Sequence, residues 1–262
     1  MTAPRERRTI VAVSYRGQEA PIMEKSTLAP HRSADPVDED RNGLVYRPQD
    51  DTSLLIDALR DIDLRGARTV DLWSGSGAVA VSAALGGAAV TAVDSCPRAI
   101  AATSQAAATA GVILDVVCAD LADIAGQTFD LITCNPPYVP TPPGTELSAP
   151  GPNHAWNAGP DGRDVLDVVC ALIPGLLADR GAAFIVQSAL AGGDQTVTAL
   201  RAAGLRASVV RERAIAFGPV LRSRRKELVD AGLLDPTTDL ESIVVIRADR
   251  TADSQRGGRH ER

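Results

Sequence analysis

Seven short apolar runs, most of them rich in β-branched residues, recur along the middle of the chain: RTVDLW (68–73), AAVTAVD (88–94), LDVVCAD (114–120), FDLITCN (129–135), GAAFIVQSA (181–189), ASVVRERAIAF (207–217) and ESIVVIRA (241–248). Between them, Ala and Leu fall at helical spacing, which predicts helices over Thr52–Asp61, Ala78–Leu85, Pro97–Ala110, Val165–Leu177 and Gln195–Ala203. Strands that alternate with helices are the mark of βαβ units, so the pattern predicts an α/β fold: a doubly wound, seven-stranded, mostly parallel sheet. Thr52 and Ser95 read as helix caps, and Gly111 and Gly204 as helix stops. The last two runs are separated by GPVLRSRRKELVDAGLLDP (218–236) without a long helix, which predicts an antiparallel final strand.

Outside these runs the pattern fades. Residues 1–42 mix charge, Pro and Ser around one apolar patch, TIVAVSY, and read as a flexible leader with one added strand; residues 43–248 form the folded domain, and 249–262 a disordered tail. Hydrophobic residues make up 45% of the chain but aromatics only 3%, so the core has to be built from Ala, Val, Leu and Ile. The formal charge of -6 gives no general attraction to a phosphate backbone and disfavours nucleic acid as a partner. No apolar run reaches the roughly 18 residues of a membrane span and the first residues lack the apolar stretch of a signal peptide, which predicts a cytoplasmic protein with no membrane contact. Cys96, Cys118, Cys134 and Cys170 are far apart and read as buried reduced thiols; His31, His154 and His260 are scattered, so no metal site is expected.

The chemistry begins where strands end. The first run passes into Asp71-x-x-x-Gly75-x-Gly77, a glycine turn before a helix; the second ends in Asp94 and the third in Asp120. Carboxylates at successive strand ends suit ribose hydroxyls and an adenine amino group, and ligands of doubly wound sheets bind at that edge. Each Asp read alone is equally a helix cap.

The fourth run stops on Asn135-Pro136-Pro137-Tyr138. Two prolines remove two N–H donors and leave carbonyl acceptors, which suits a substrate that donates. The Asn135 side-chain oxygen and the Pro136 carbonyl can take both hydrogens of one NH2 group, and Tyr138 can pack against its plane. Of eight aromatic residues, Tyr46, Trp73, Tyr138 and Trp156 flank these segments. The loop 139–162, rich in Pro and Gly, reads as a substrate lid, and LRSRRKELVD (221–230) as a basic helical stretch able to dock an acidic or RNA-bearing partner.

Taken together, the glycine turn, the strand-end carboxylates and NPPY resemble class I, Rossmann-like S-adenosylmethionine-dependent methyltransferases. LVYRPQDDTSLLIDAL (44–59) and AWNAGPDG (155–162) resemble more narrowly the HemK-type protein methyltransferases, in their compact form. That resemblance implies S-adenosyl-L-methionine as cofactor, held by Asp51, Thr52, Asp71, Gly75, Gly77, Asp94, Asp120 and Asn135. It implies an acceptor site of Asn135, Pro136, Pro137, Tyr138 and Trp156. The implied substrate is a protein, with a glutamine amide of a translation release factor foremost, and some compact members need a small activating subunit. An adenine or guanine amino group in RNA or DNA is the alternative acceptor, and a non-catalytic binding module the third reading. Trp73 stands where the family usually has a small residue before the glycine turn.

Overall fold

The computed structural model describes residues 45, 47–146 and 153–251, all within the compact unit that runs from Asp40 to Arg262. The predicted leader with its added strand, the tail from 252 onward and Tyr46 lie outside the described residues.

Seven strands form one sheet: β1 (Arg68–Leu72), β2 (Ala89–Asp94), β3 (Asp115–Cys118), β4 (Phe129–Cys134), β5 (Leu177–Ser188), β6 (Arg206–Ala216) and β7 (Leu240–Asp249), in the order β3-β2-β1-β4-β5-β7-β6. β1 to β5 run parallel, while β7 pairs antiparallel with both β5 and β6. The chain therefore winds outward from β1 to β3 and restarts at β4 on β1's other side. That places a topological switch point between the carboxyl ends of β1 and β4, where such sheets bind ligands.

The helices are α1 (Asp50–Leu59), α2 (Ala78–Leu85), α3 (Pro97–Ala110), α4 (Asp164–Leu176), α5 (Gly193–Ala202) and α6 (Pro219–Asp230). The core is aliphatic as composition requires, with Val70, Leu72, Ile132, Ile185, Val245 and Ile246 wholly or nearly wholly buried. Such strands read as unbroken apolar runs because parallel sheets are covered on both faces.

Several local expectations need correction. α1 starts two residues earlier, with Gln49 as its N-cap, so Thr52 lies in the first turn; α3 is capped at Cys96 with Pro97 in its first turn, not at Ser95. Gly111 does end α3, in the left-handed conformation at φ 68°. β5 begins at Leu177, directly after α4, rather than at Gly181. The segment between β6 and β7 holds a 12-residue helix, α6, although the two strands are still antiparallel. All four cysteines are free and Cys134 and Cys170 are buried, but Cys118 is exposed on the edge strand β3.

Candidate active site

The carboxyl ends of β1, β2 and β4 open on a cleft of about 210 Å³ lined by Thr52, Asp71, Trp73, Gly75, Asp94 and Asn135 among others. Asp71 and Thr133 are register partners on β1 and β4, and the Thr133 hydroxyl donates to Asp71 Oδ1 at 2.6 Å. Oδ2 is buried and accepts no hydrogen bond of normal geometry. Burial above all, with the Asp94 charge adding to it, raises the Asp71 pKa to about 7 against the pull of the Thr133 hydroxyl and the Ala80 amide.

Asp94 fixes the turn. Its Oδ2 accepts the Gly75 N–H at 3.0 Å and its Oδ1 the Cys96 N–H at 2.9 Å. A carboxylate has about four acceptor sites, so roughly two remain for a ligand. Gly77 does a different job: at φ 80° it starts α2, and a Cβ there would lie 2.8 Å from the Thr103 Cα of α3. It is a close-packing residue and does not line the cleft. Asp120 caps a short 3₁₀ turn (Leu121–Ile124) reciprocally with Asp123, and also lines a second cavity of about 240 Å³ shared with Trp73 and Asp94.

On the far side of Asn135 lies a smaller cavity of about 90 Å³, lined by Asp51, Pro136, Tyr138, Trp156 and Glu241 among others. Asn135 lines both it and the larger cleft. The buried Asp51 Oδ2 accepts from Asn135 Nδ2 at 3.1 Å and from the Tyr138 hydroxyl at 2.9 Å. A carboxylate cannot donate, so the NH2 end of Asn135 is the end that faces Asp51, and its Oδ1 is left as an acceptor. The four NPPY residues thus divide: Pro137 lines the large cleft, Pro136 and Tyr138 the small cavity, and Asn135 the neck between them. Thr52 stands on the large cleft, whereas Asp51, expected beside it, lines the small cavity.

The lid region is described outside residues 147–152. Its two arms are laced by backbone bonds from Val139 N–H to the Trp156 carbonyl and from Ala158 N–H to the Val139 carbonyl. His154 is exposed at the rim of the large cleft, and Trp156 is buried against the small cavity. The basic stretch is largely self-neutralised: Arg225 bonds Asp239 and the Pro236 and Thr238 carbonyls, Lys226 pairs with Asp230, and Arg224 turns inward to the lid.

Glu241, at the start of β7, escaped the sequence reading because it opens an ordinary apolar run. It is only 9% exposed in the small cavity; burial first, with the nearby Asp51 charge, raises its pKa to about 7 against a hydrogen bond from Ser188. The folded chain therefore holds a proton that the unfolded chain releases at its ordinary, lower pKa. Stability is highest below the unfolded value and falls as pH rises through the window up to about 7. Glu241→Gln is expected to remove that share, so its Tm declines less than wild type by about 5 °C between about pH 5.5 and about pH 8, measured by calorimetry.

Among the described residues, no group of three or more His, Cys, Asp or Glu side chains could hold a metal ion, and no helix is long and apolar enough to cross a membrane.

The sheet order and the cleft at the β1–β4 switch point are those of a class I methyltransferase, and the known proteins this chain is similar to agree. Residues 47–143 match the family model described as Methyltransferase small domain. Human Methyltransferase HEMK2 is 33% identical over 181 residues, covering 64% of this chain and 83% of that protein. The Release factor glutamine methyltransferase of Mycolicibacterium smegmatis is 36% identical over 147 residues, covering 52% of each. In fold, the chain superposes on the E. cuniculi Mtq2–Trm112 complex responsible for methylation of the eRF1 translation termination factor, with TM-score 0.55 and 21% identity over 79% of this chain and 99% of that one. The chain belongs to the HemK family of methyltransferases, the family of HEMK2.

Proposed function

We propose that the chain methylates a protein side-chain amide with S-adenosyl-L-methionine as donor, and that the amide is a glutamine of a translation release factor. The observation that carries this reading is Asn135, which lines both the large cleft and the small cavity and has its NH2 end committed to Asp51.

The residues of the large cleft fit the donor. Asp71 lines the cleft with a carboxylate oxygen that accepts no hydrogen bond of normal geometry and suits an ammonium group, Asp94 has acceptor sites for vicinal hydroxyls, and Asp120 lines the adjoining cavity. When bound, the donor supplies an electrophilic sulfonium methyl. The chain's own part is positioning. Asn135 Oδ1 and the Pro136 carbonyl accept the two N–H bonds of the substrate amide, which turns its nitrogen lone pair toward the large cleft. Tyr138, tied to Asp51, holds one wall, and Trp156 closes another.

A small cavity bordered by Asp51 and Glu241 suits a neutral side-chain amide better than a base on a phosphate backbone. The names of the relatives support the same choice, and four free thiols suit a cytoplasmic setting. The test is transfer of a radiolabelled methyl group to purified release factors, with protease and nuclease controls. It is run with and without a small subunit of the Trm112 kind. The expected label is protease-sensitive and maps to one glutamine by mass spectrometry. Label that nuclease removes, or none on any release factor, overturns the reading.

A further inference from the structure

Trp73 follows β1 in a backbone conformation that a bulky residue rarely adopts, with φ at 55°. The next two positive-φ positions of the same turn, Gly75 and Gly77, are both glycine. Glycine would hold the first position without strain, so something else holds tryptophan there. Trp73 is half-buried, packs on the edge of the main core and also lines the cleft.

Trp73, Asp94 and Ser95 line both the large cleft and the second cavity that contains Asp120. A ligand that reaches Asp71 at one end and Asp120 at the other has to pass along Trp73 and Asp94. The rest of the second cavity is Val93, Ala119 and Leu121 with Asp120, so Trp73 is its one aromatic residue. Carboxylates can take the hydroxyl and amino hydrogens of an adenosine unit, but they leave the flat faces of the purine uncovered.

We infer that the Trp73 indole is a ligand-contacting wall for the adenosine half of the donor, and that the chain keeps a strained backbone at this position for that contact. The inference rests on the reading that the large cleft binds S-adenosyl-L-methionine.

Calorimetric titration of the full chain with S-adenosylhomocysteine tests it. Trp73→Gly is expected to weaken binding by about 10-fold, and Trp73→Phe by less, since a stacking face is worth about one such factor. The chain has two tryptophans, so Trp156→Phe leaves Trp73 as its one indole, whose fluorescence should change saturably over the same titration. Equal or tighter binding by folded Trp73→Gly, or an indole signal indifferent to bound ligand, overturns the inference while leaving the donor reading in place. Failure of folded wild-type protein to bind S-adenosylhomocysteine overturns both.

Discussion

Asn135→Ala is expected to lower methyl transfer by at least about 100-fold while changing S-adenosylhomocysteine affinity by less than about threefold, because a small misplacement of the reacting group is enough to cost that much. Asn135 sits at the neck between the two cavities and its NH2 end is taken by Asp51, so Oδ1 is the group it presents. Removing the side chain removes one of the two acceptors that orient the substrate amide and leaves Asp51 Oδ2 with only the Tyr138 hydroxyl of that pair. Donor affinity should survive because Asp71 and Asp94 keep their own partners, Thr133 and the Gly75 and Cys96 amides. Asn135→Asp is the sharper companion: it keeps the shape but loses the Nδ2 donor and places a carboxylate against Asp51, so it should be at least as inactive as alanine. Transfer assays beside calorimetry separate the two effects. Near-wild-type turnover in either variant would remove Asn135 from the site.

Much of the fold was legible because parallel sheets write themselves plainly. The inner strands β1, β4 and β5 are mostly buried and read as apolar runs, and all seven runs became strands of one sheet, although the edge strands β3 and β6 are largely exposed. The strand ends were legible too, since Asp71, Asp94, Asp120 and Asn135 all stand at or just beyond the carboxyl edge. Their partners were not. Asp51 and Asn135 are 84 residues apart, and no local pattern says that a carboxylate in the first turn of α1 holds the amide after β4. Gly77 carries a second constraint that the turn pattern does not reveal: a Cβ there would meet Thr103 of α3. Glu241 stayed hidden because one acid at the head of an apolar strand looks like a solvated end. α6 was read for its charge, and the inward turn of Arg224 depends on a helix register that charge alone does not reveal.

Arg224→Ala is expected to destabilise the protein by about 3 kcal/mol, roughly a 10 °C fall in Tm, and to raise KM for the protein substrate more than it lowers kcat. Arg224 is fully buried on α6, a helix anchored by its own small cluster of Phe217, Leu221, Leu228 and Leu234. Its guanidinium donates to the Pro140 carbonyl at 3.3 Å, to the Thr141 hydroxyl at 3.1 Å and to the Asn157 side-chain oxygen. Those acceptors lie on both arms of the lid, Val139–Thr141 on one side and Trp156–Gly159 on the other, just beyond Tyr138 and Trp156. Truncation leaves two buried acceptors, the Pro140 carbonyl and the Thr141 hydroxyl, and the half-buried Asn157 oxygen without that donor, a larger loss than the missing packing alone. Arg224→Lys keeps the charge but cannot fork to three acceptors, so it should recover part of the stability and little of the KM. A merely structural arginine would lower stability in both variants without moving KM once the protein is folded, and that pattern, from melting curves beside initial-rate kinetics, would detach α6 from the acceptor cavity.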